Sequence, residues 1–92
     1  MNKKGEIIMM DYEHLFATAL HAKLKKKIVG KIYVEVTREN VLLVKIESFG
    51  GLSYSTTIDN FSDKILNGFS TDYAAYEIVD QYKKFITKKF LK

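Results

Sequence analysis

The sequence predicts an α+β fold: a three-stranded antiparallel meander with helices on one face, in the order α-β-β-β-α-α. Three observations carry this expectation. Between residues 31 and 58, apolar and polar side chains alternate in three consecutive runs. On both sides of those runs, apolar residues recur at helical spacing instead. A single strand register then collects the apolar residues of the sheet on one face, which the flanking helices must cover.

The first helix is expected over residues 11–27, with Asp11 as its N-cap. Tyr12, Leu15, Phe16, Ala19, Leu20 and Leu24 form its apolar stripe, and Lys23, Lys25, Lys26 and Lys27 close it, where cations favour a helix C-terminus. Residues 1–10 are set apart as a flexible arm or a start-site extension, because Met9 and Met10 follow Lys-Lys-Gly-Glu-Ile-Ile and either could be the natural start. The domain proper is then 11–92.

In the first strand Ile32, Val34 and Val36 alternate with Lys31, Tyr33 and Glu35. In the second, Leu42, Val44 and Ile46 alternate with Val41, Leu43, Lys45 and Glu47, and in the third Tyr54, Thr56 and Ile58 alternate with Ser53, Ser55 and Thr57. Arg38-Glu39-Asn40 and Phe49-Gly50-Gly51 supply the two turns. Pairing around Glu39 sets Val36 opposite Leu42, Val34 opposite Val44 and Ile32 opposite Ile46. Pairing around Gly50 sets Ile46 opposite Tyr54, Val44 opposite Thr56 and Leu42 opposite Ile58. A one-residue slip would turn every one of these side chains to the other face, so the pattern specifies the register.

A short helix is expected over 60–67, with Asp59 or Asn60 as cap and Gly68 as its stop. A long one follows over about 71–90, capped by Ser70 or Thr71, with Ala75, Ile78, Val79, Tyr82, Ile86 and Phe90 as its stripe.

Composition narrows the function classes. Ninety-two residues make one domain. The absence of cysteine excludes disulfides and thiolate metal sites. No apolar run approaches the roughly 18–20 residues of a membrane span, so no membrane partner is expected, and the cytoplasm is the expected compartment. No cofactor, metal or catalytic residue is expected either. His14 and His21 stand seven residues apart, about 10 Å along a helix, too far to share a metal. Ser53, Ser55 and Thr57 follow the pleat of a strand, and Gly50-Gly51 lacks the lysine and helix of a phosphate loop.

Three surfaces remain as candidates. Residues 23–31 and 83–92 hold five lysines each and no acid, whereas the rest of the chain holds five basic and eleven acidic groups. Topology sends Lys23, Lys25, Lys26, Lys27, Lys83, Lys84, Lys88 and Lys89 toward one end, where they would meet the phosphates of nucleic acid or of a membrane surface. Arginine, the usual reader of bases and phosphates, occurs once, at Arg38. Glu39, Asp59, Asp63, Asp72, Glu77 and Asp80 gather toward the other end as an acidic surface for a partner. Tyr33, Leu43 and Lys45 lie on the open sheet face, a surface for a partner protein or for a homodimer. The edge strand could also accept a partner strand.

The α-β-β-β-α order resembles the double-stranded-RNA-binding domain, but the last helix here opens Ser70-Thr71-Asp72-Tyr73-Ala74-Ala75, acidic where that family carries lysines. The stretch KILNGFSTDYAAYEI at 64–78, with the element order and the lysine/isoleucine composition, resembles small phage and mobile-element proteins of low-G+C Gram-positive bacteria, anti-CRISPR inhibitors among them. That resemblance implies a non-enzymatic protein that blocks a host nucleic-acid-handling protein, such as a CRISPR nuclease. It implies an acidic contact surface at Asp59, Asp63, Asp72, Glu77 and Asp80. The net charge of +4 departs from simple mimicry of DNA. The alternatives are a basic module that binds nucleic acid through the lysine-rich end and an oligomerising accessory protein that uses the open sheet face.

Overall fold

The computed structural model describes the backbone of residues 2–90 and the side chains of residues 12–89. Its elements are α1 (Asn2–Lys27), β1 (Lys31–Val36), β2 (Leu42–Glu47), β3 (Ser53–Ile58), α2 (Phe61–Leu66) and α3 (Thr71–Phe90). The order is the expected α-β-β-β-α-α, and the sheet runs β1-β2-β3 with both pairs antiparallel.

The register follows from the side-chain pattern. Ile32 pairs with Ile46, Val34 with Val44 and Val36 with Leu42, and β3 places Tyr54, Thr56 and Ile58 opposite Ile46, Val44 and Leu42. At the first turn the Thr37 amide donates to the Val41 carbonyl at 2.9 Å, and Asn40 takes the left-handed conformation at φ 61°. At the second, the Ser48 amide donates to the Leu52 carbonyl at 2.9 Å, with Gly51 at φ 87°.

One face of the sheet and three helices enclose a single apolar core. Leu20, Leu24, Leu42, Val44, Ile46 and Phe61 are fully buried, and no charged or polar residue is buried among the described residues. Burying each such side chain is worth about 1.5–3 kcal/mol. Phe16 stands edge-on to Phe61 and stacks on Phe69, so α1, α2 and the α2–α3 turn meet at one aromatic cluster.

Two expectations for α1 are corrected. The helix begins at Asn2, so Asp11 lies inside it and not at its start. Nothing between Asn2 and Asp11 stops a helix outright, since a single interior glycine, Gly5, costs only about 1 kcal/mol. The expected N-terminal arm falls on side chains outside the described residues. Leu15 was expected in the apolar stripe, yet it is 67% exposed. The buried line runs through Phe16, Ala17, Leu20 and Leu24, and Leu15 lies about 100° round the helix from Phe16 and about 200° from Ala17.

The chain from β3 into α3 is fixed by caps. The Gly68 amide donates to the Ile65 carbonyl at 3.0 Å and the Phe69 amide to the Lys64 carbonyl at 2.9 Å, the paired bonds of a glycine-terminated helix end. Gly68 sits at φ 95°, a conformation that disfavours a Cβ. Two residues later the Ser70 hydroxyl oxygen accepts the Tyr73 amide at 3.1 Å and starts α3. This short reversal brings the first turns of α3 back beside the end of β3.

Candidate protein-binding groove beside the edge strand

The two edges of the sheet differ. The Thr37 amide bonds to Val41, and antiparallel pairing alternates from there. Residues 31, 33 and 35 therefore aim their backbone groups at β2, whereas Ile32, Val34 and Val36 aim theirs outward. His21 on α1 meets the outward Ile32 carbonyl through Nε2 at 3.0 Å, and α1 packs along β1. That edge also carries the charges of Lys31 and Glu35.

The β3 edge has no such guard. Ser48 bonds to Leu52, so alternation points the backbone groups of Ser53, Ser55 and Thr57 away from β2. No backbone hydrogen bond links these outward groups to another segment among the described residues. The strand reads SYSTTI, with no charge and no proline. Charged residues, proline, bulges and covering helices are the usual means of protecting an edge.

A groove of about 590 Å³ runs beside this strand. Thr56, Thr57 and Ile58 form one wall, Ala74, Glu77 and Ile78 of α3 form the other, and Phe69 and Tyr73 close the end made by the α2–α3 turn. Tyr73 is half exposed and edge-on to Phe69, with ring centroids 5.9 Å apart. The Glu77 carboxylate, hydrogen-bonded to the Tyr73 hydroxyl, raises the Tyr73 pKa above its ordinary value of 10.0. The pair sits one helical turn apart and presents an aromatic body with an acidic tip. Further along, the Tyr54 hydroxyl donates to Gln81 Oε1 at 2.8 Å and ties β3 to α3.

The acidic residues expected at one end divide into groups. Glu77 lines the groove, Asp59 directly follows Ile58 of its wall, and Asp63 neighbours Lys64 of its rim. Asp72 is instead paired with Lys23 at 2.8 Å, and Asp80 with Lys84 at 3.2 Å. The Lys23 ammonium, hydrogen-bonded to the Asp72 carboxylate, holds its pKa below the ordinary 3.8. Glu39 is exposed in the β1–β2 turn. The expected separation into a lysine end and an acidic end is therefore corrected. Lys23 meets Asp72, and Lys27 shares a hollow with Asp72, Tyr76, Asp80 and Lys83. Numbers rise together along α1 and α3, so the helices run side by side in the same direction and bring the end of one to the start of the other.

The other expected residues are accounted for. Lys25, Lys26, Lys27, Lys83, Lys84, Lys88 and Lys89 are exposed, with Lys89 lying 5.7 Å from the Phe85 ring centroid. On the open sheet face, Tyr33, Leu43 and Lys45 share a shallow hollow of about 330 Å³ with Glu35 and Glu47, and Lys45 lies 3.7 Å from Glu47. Among the described residues no group of three or more histidine, aspartate or glutamate side chains could hold a metal ion. No described helix is long and apolar enough to cross a membrane.

Sequence reasoning named the edge strand but missed the groove beside it. The groove is assembled from three elements and carries no motif. The readable hint was an uncharged strand followed within fifteen residues by Gly68 and the Ser70 cap, which fold a helix back along it. Compared with protein-family models, curated proteins and solved structures, the chain matches none.

Proposed function

We propose that this chain acts by binding and not by catalysis, and that it holds an extended, basic segment of a partner protein as a fourth strand on β3. The carrying observation is the unguarded β3 edge beside an open groove, set against a β1 edge where α1 packs and His21 takes the outward Ile32 carbonyl. Strand addition of this kind draws affinity from main-chain hydrogen bonds and specificity from pockets that take alternate side chains. Here the outward groups of Ser53, Ser55 and Thr57 supply the main-chain partners. The groove supplies the pocket, with Ile58, Phe69, Ala74 and Ile78 as apolar lining. Glu77 is the one carboxylate and Lys64 the one cation of its lining, and Glu77 offers a lysine or arginine of the incoming segment a partner of opposite charge.

A nucleic-acid-handling protein is the partner class that best fits a basic segment, and blocking such a protein in a bacterial cytoplasm is the role we infer. The resemblance to small phage-encoded inhibitors supports that choice. Asp72 and Asp80 take no part in it, because their own lysines neutralise them.

The test is selection from a displayed library of random heptapeptides, panned in parallel on the chain and on Thr57→Pro. Proline at position 57 removes one outward donor and leaves the β2–β3 ladder intact. Enrichment of lysine- or arginine-containing peptides on the chain but not on the variant supports the reading. Equal enrichment on both, or none on either, overturns it. Concentration-dependent dimerisation abolished by Thr57→Pro would assign the edge to a second copy of the chain and replace the partner reading.

A further inference from the structure

A second surface lies at the far end of the sheet, formed by the α1–β1 loop and the β2–β3 turn. The two are in contact. A Cβ placed on Gly30 would come within 2.5 Å of the Glu47 carbonyl oxygen and 3.5 Å of Ser48 Cα. Each loop carries one apolar residue held out in solvent: Val29 is 73% exposed and Phe49 80% exposed, the two most exposed large apolar side chains described. Exposed apolar residues scattered singly need no explanation, but two on touching turns do.

Lysines surround them. Lys25, Lys26 and Lys27 precede Val29 in the last turn of α1, and Lys31 follows it. On the other side Lys83 lines a hollow with Ser48, Gly50 and Ile86, so it stands beside the turn that carries Phe49. The acids close to these lysines are already engaged: Asp72 with Lys23, Asp80 with Lys84, and Glu47 with Lys45.

We propose that this end of the domain docks on an anionic lipid surface, with Val29 and Phe49 entering the headgroup region and the lysines meeting lipid phosphates. The absence of a spanning helix among the described residues does not bear on such contact, which needs only apolar tips and a basic collar. Lipid is favoured over nucleic acid on two counts. Valine offers no ring on which a base can stack, and the collar contains no arginine, the residue suited to bidentate phosphate and base contacts. Lysine near an anionic bilayer contributes roughly a fivefold gain in partitioning per residue. The groove beside β3 takes no part in this surface.

The test is co-sedimentation of the full chain with large unilamellar vesicles of phosphatidylglycerol and phosphatidylcholine, with pure phosphatidylcholine vesicles and a single-stranded oligonucleotide as parallel arms. Binding to the anionic vesicles and not to the zwitterionic ones is expected. Replacing Lys25, Lys26 and Lys27 with glutamine should weaken it roughly 100-fold. The double variant Val29→Ser, Phe49→Ser should weaken it at least roughly tenfold with an unchanged far-ultraviolet circular dichroism spectrum. No binding to anionic vesicles at low salt overturns the proposal. So does binding that the double serine variant leaves unaltered, or tighter binding to the oligonucleotide with the same lysine dependence.

Discussion

Asn40 Oδ1 accepts a hydrogen bond from the Ser62 amide at 2.6 Å, so a residue of the β1–β2 turn caps a helix twenty-two positions away. The Asn40 carbonyl accepts the Phe61 amide as well, at 2.9 Å. The residue at the usual cap position, Asn60, makes no side-chain cap bond. Ser62 in turn donates its hydroxyl to the Glu13 carboxylate. Asn40 thus joins the β1–β2 turn to α2, and Ser62 joins α2 to α1.

Asn40 has two separable roles. Asn40→Gly keeps the left-handed backbone at φ 61° and removes only the side-chain cap, at a cost of about 1 kcal/mol. Asn40→Ala adds the strain of a Cβ in that conformation, about 1 kcal/mol more. Urea denaturation should rank the midpoints as the unaltered chain first, then Asn40→Gly, then Asn40→Ala. Equal midpoints for the two variants would mean that the backbone conformation adds nothing.

Gly30 is required where the α1–β1 loop meets β2. It sits at φ 150°, and any Cβ there meets the backbone of Glu47 at 2.5 Å. Backbone cannot rotate aside as a side chain can. Gly30→Ala should lower stability by about 1–3 kcal/mol, whereas Gly50→Ala, with only Ser48 Oγ at 3.8 Å, should change it by less than about 1 kcal/mol. Thermal melts of the two variants check this.

Phe61 carries α2. A six-residue helix is too short to hold itself, and its only fully buried side chain is Phe61, edge-on to Phe16 at 5.2 Å. Phe61→Ala should cost about 3–5 kcal/mol. Phe61→Leu, which keeps most of the volume, should cost clearly less, as read from denaturation midpoints.

The Lys23–Asp72 pair predicts a direction with pH. The folded pKa of Asp72 lies below its ordinary 3.8, chiefly through its hydrogen bond to Lys23. The pair's contribution is present above the unfolded value and is lost as pH falls through the lower folded one. A carboxyl-carbon NMR titration should find Asp72 below 3.8, and Lys23→Met should move it most of the way back.

The sheet was legible because its code is short in range. Alternation along each strand and three-residue turns fix every pair from Lys31–Glu47 to Leu42–Ile58. The start of α1 was less legible, because propensity alone does not stop a helix at Asp11. The charge map failed for a different reason. It placed Lys23 at the opposite end from Asp72, whereas the first turn of α3 lies against Lys23. The cap from Asn40 to Ser62 spans |i−j| = 22, and no local pattern announces it.

Strand addition on β3 is tested most directly by amide hydrogen exchange of the chain saturated with a selected basic peptide. The account predicts that exchange at Ser53, Ser55 and Thr57, the outward amides, slows markedly, while Tyr54, Thr56 and Ile58, already bonded to β2, change little. No added protection along β3, or slowing confined to residues outside β3, would contradict it.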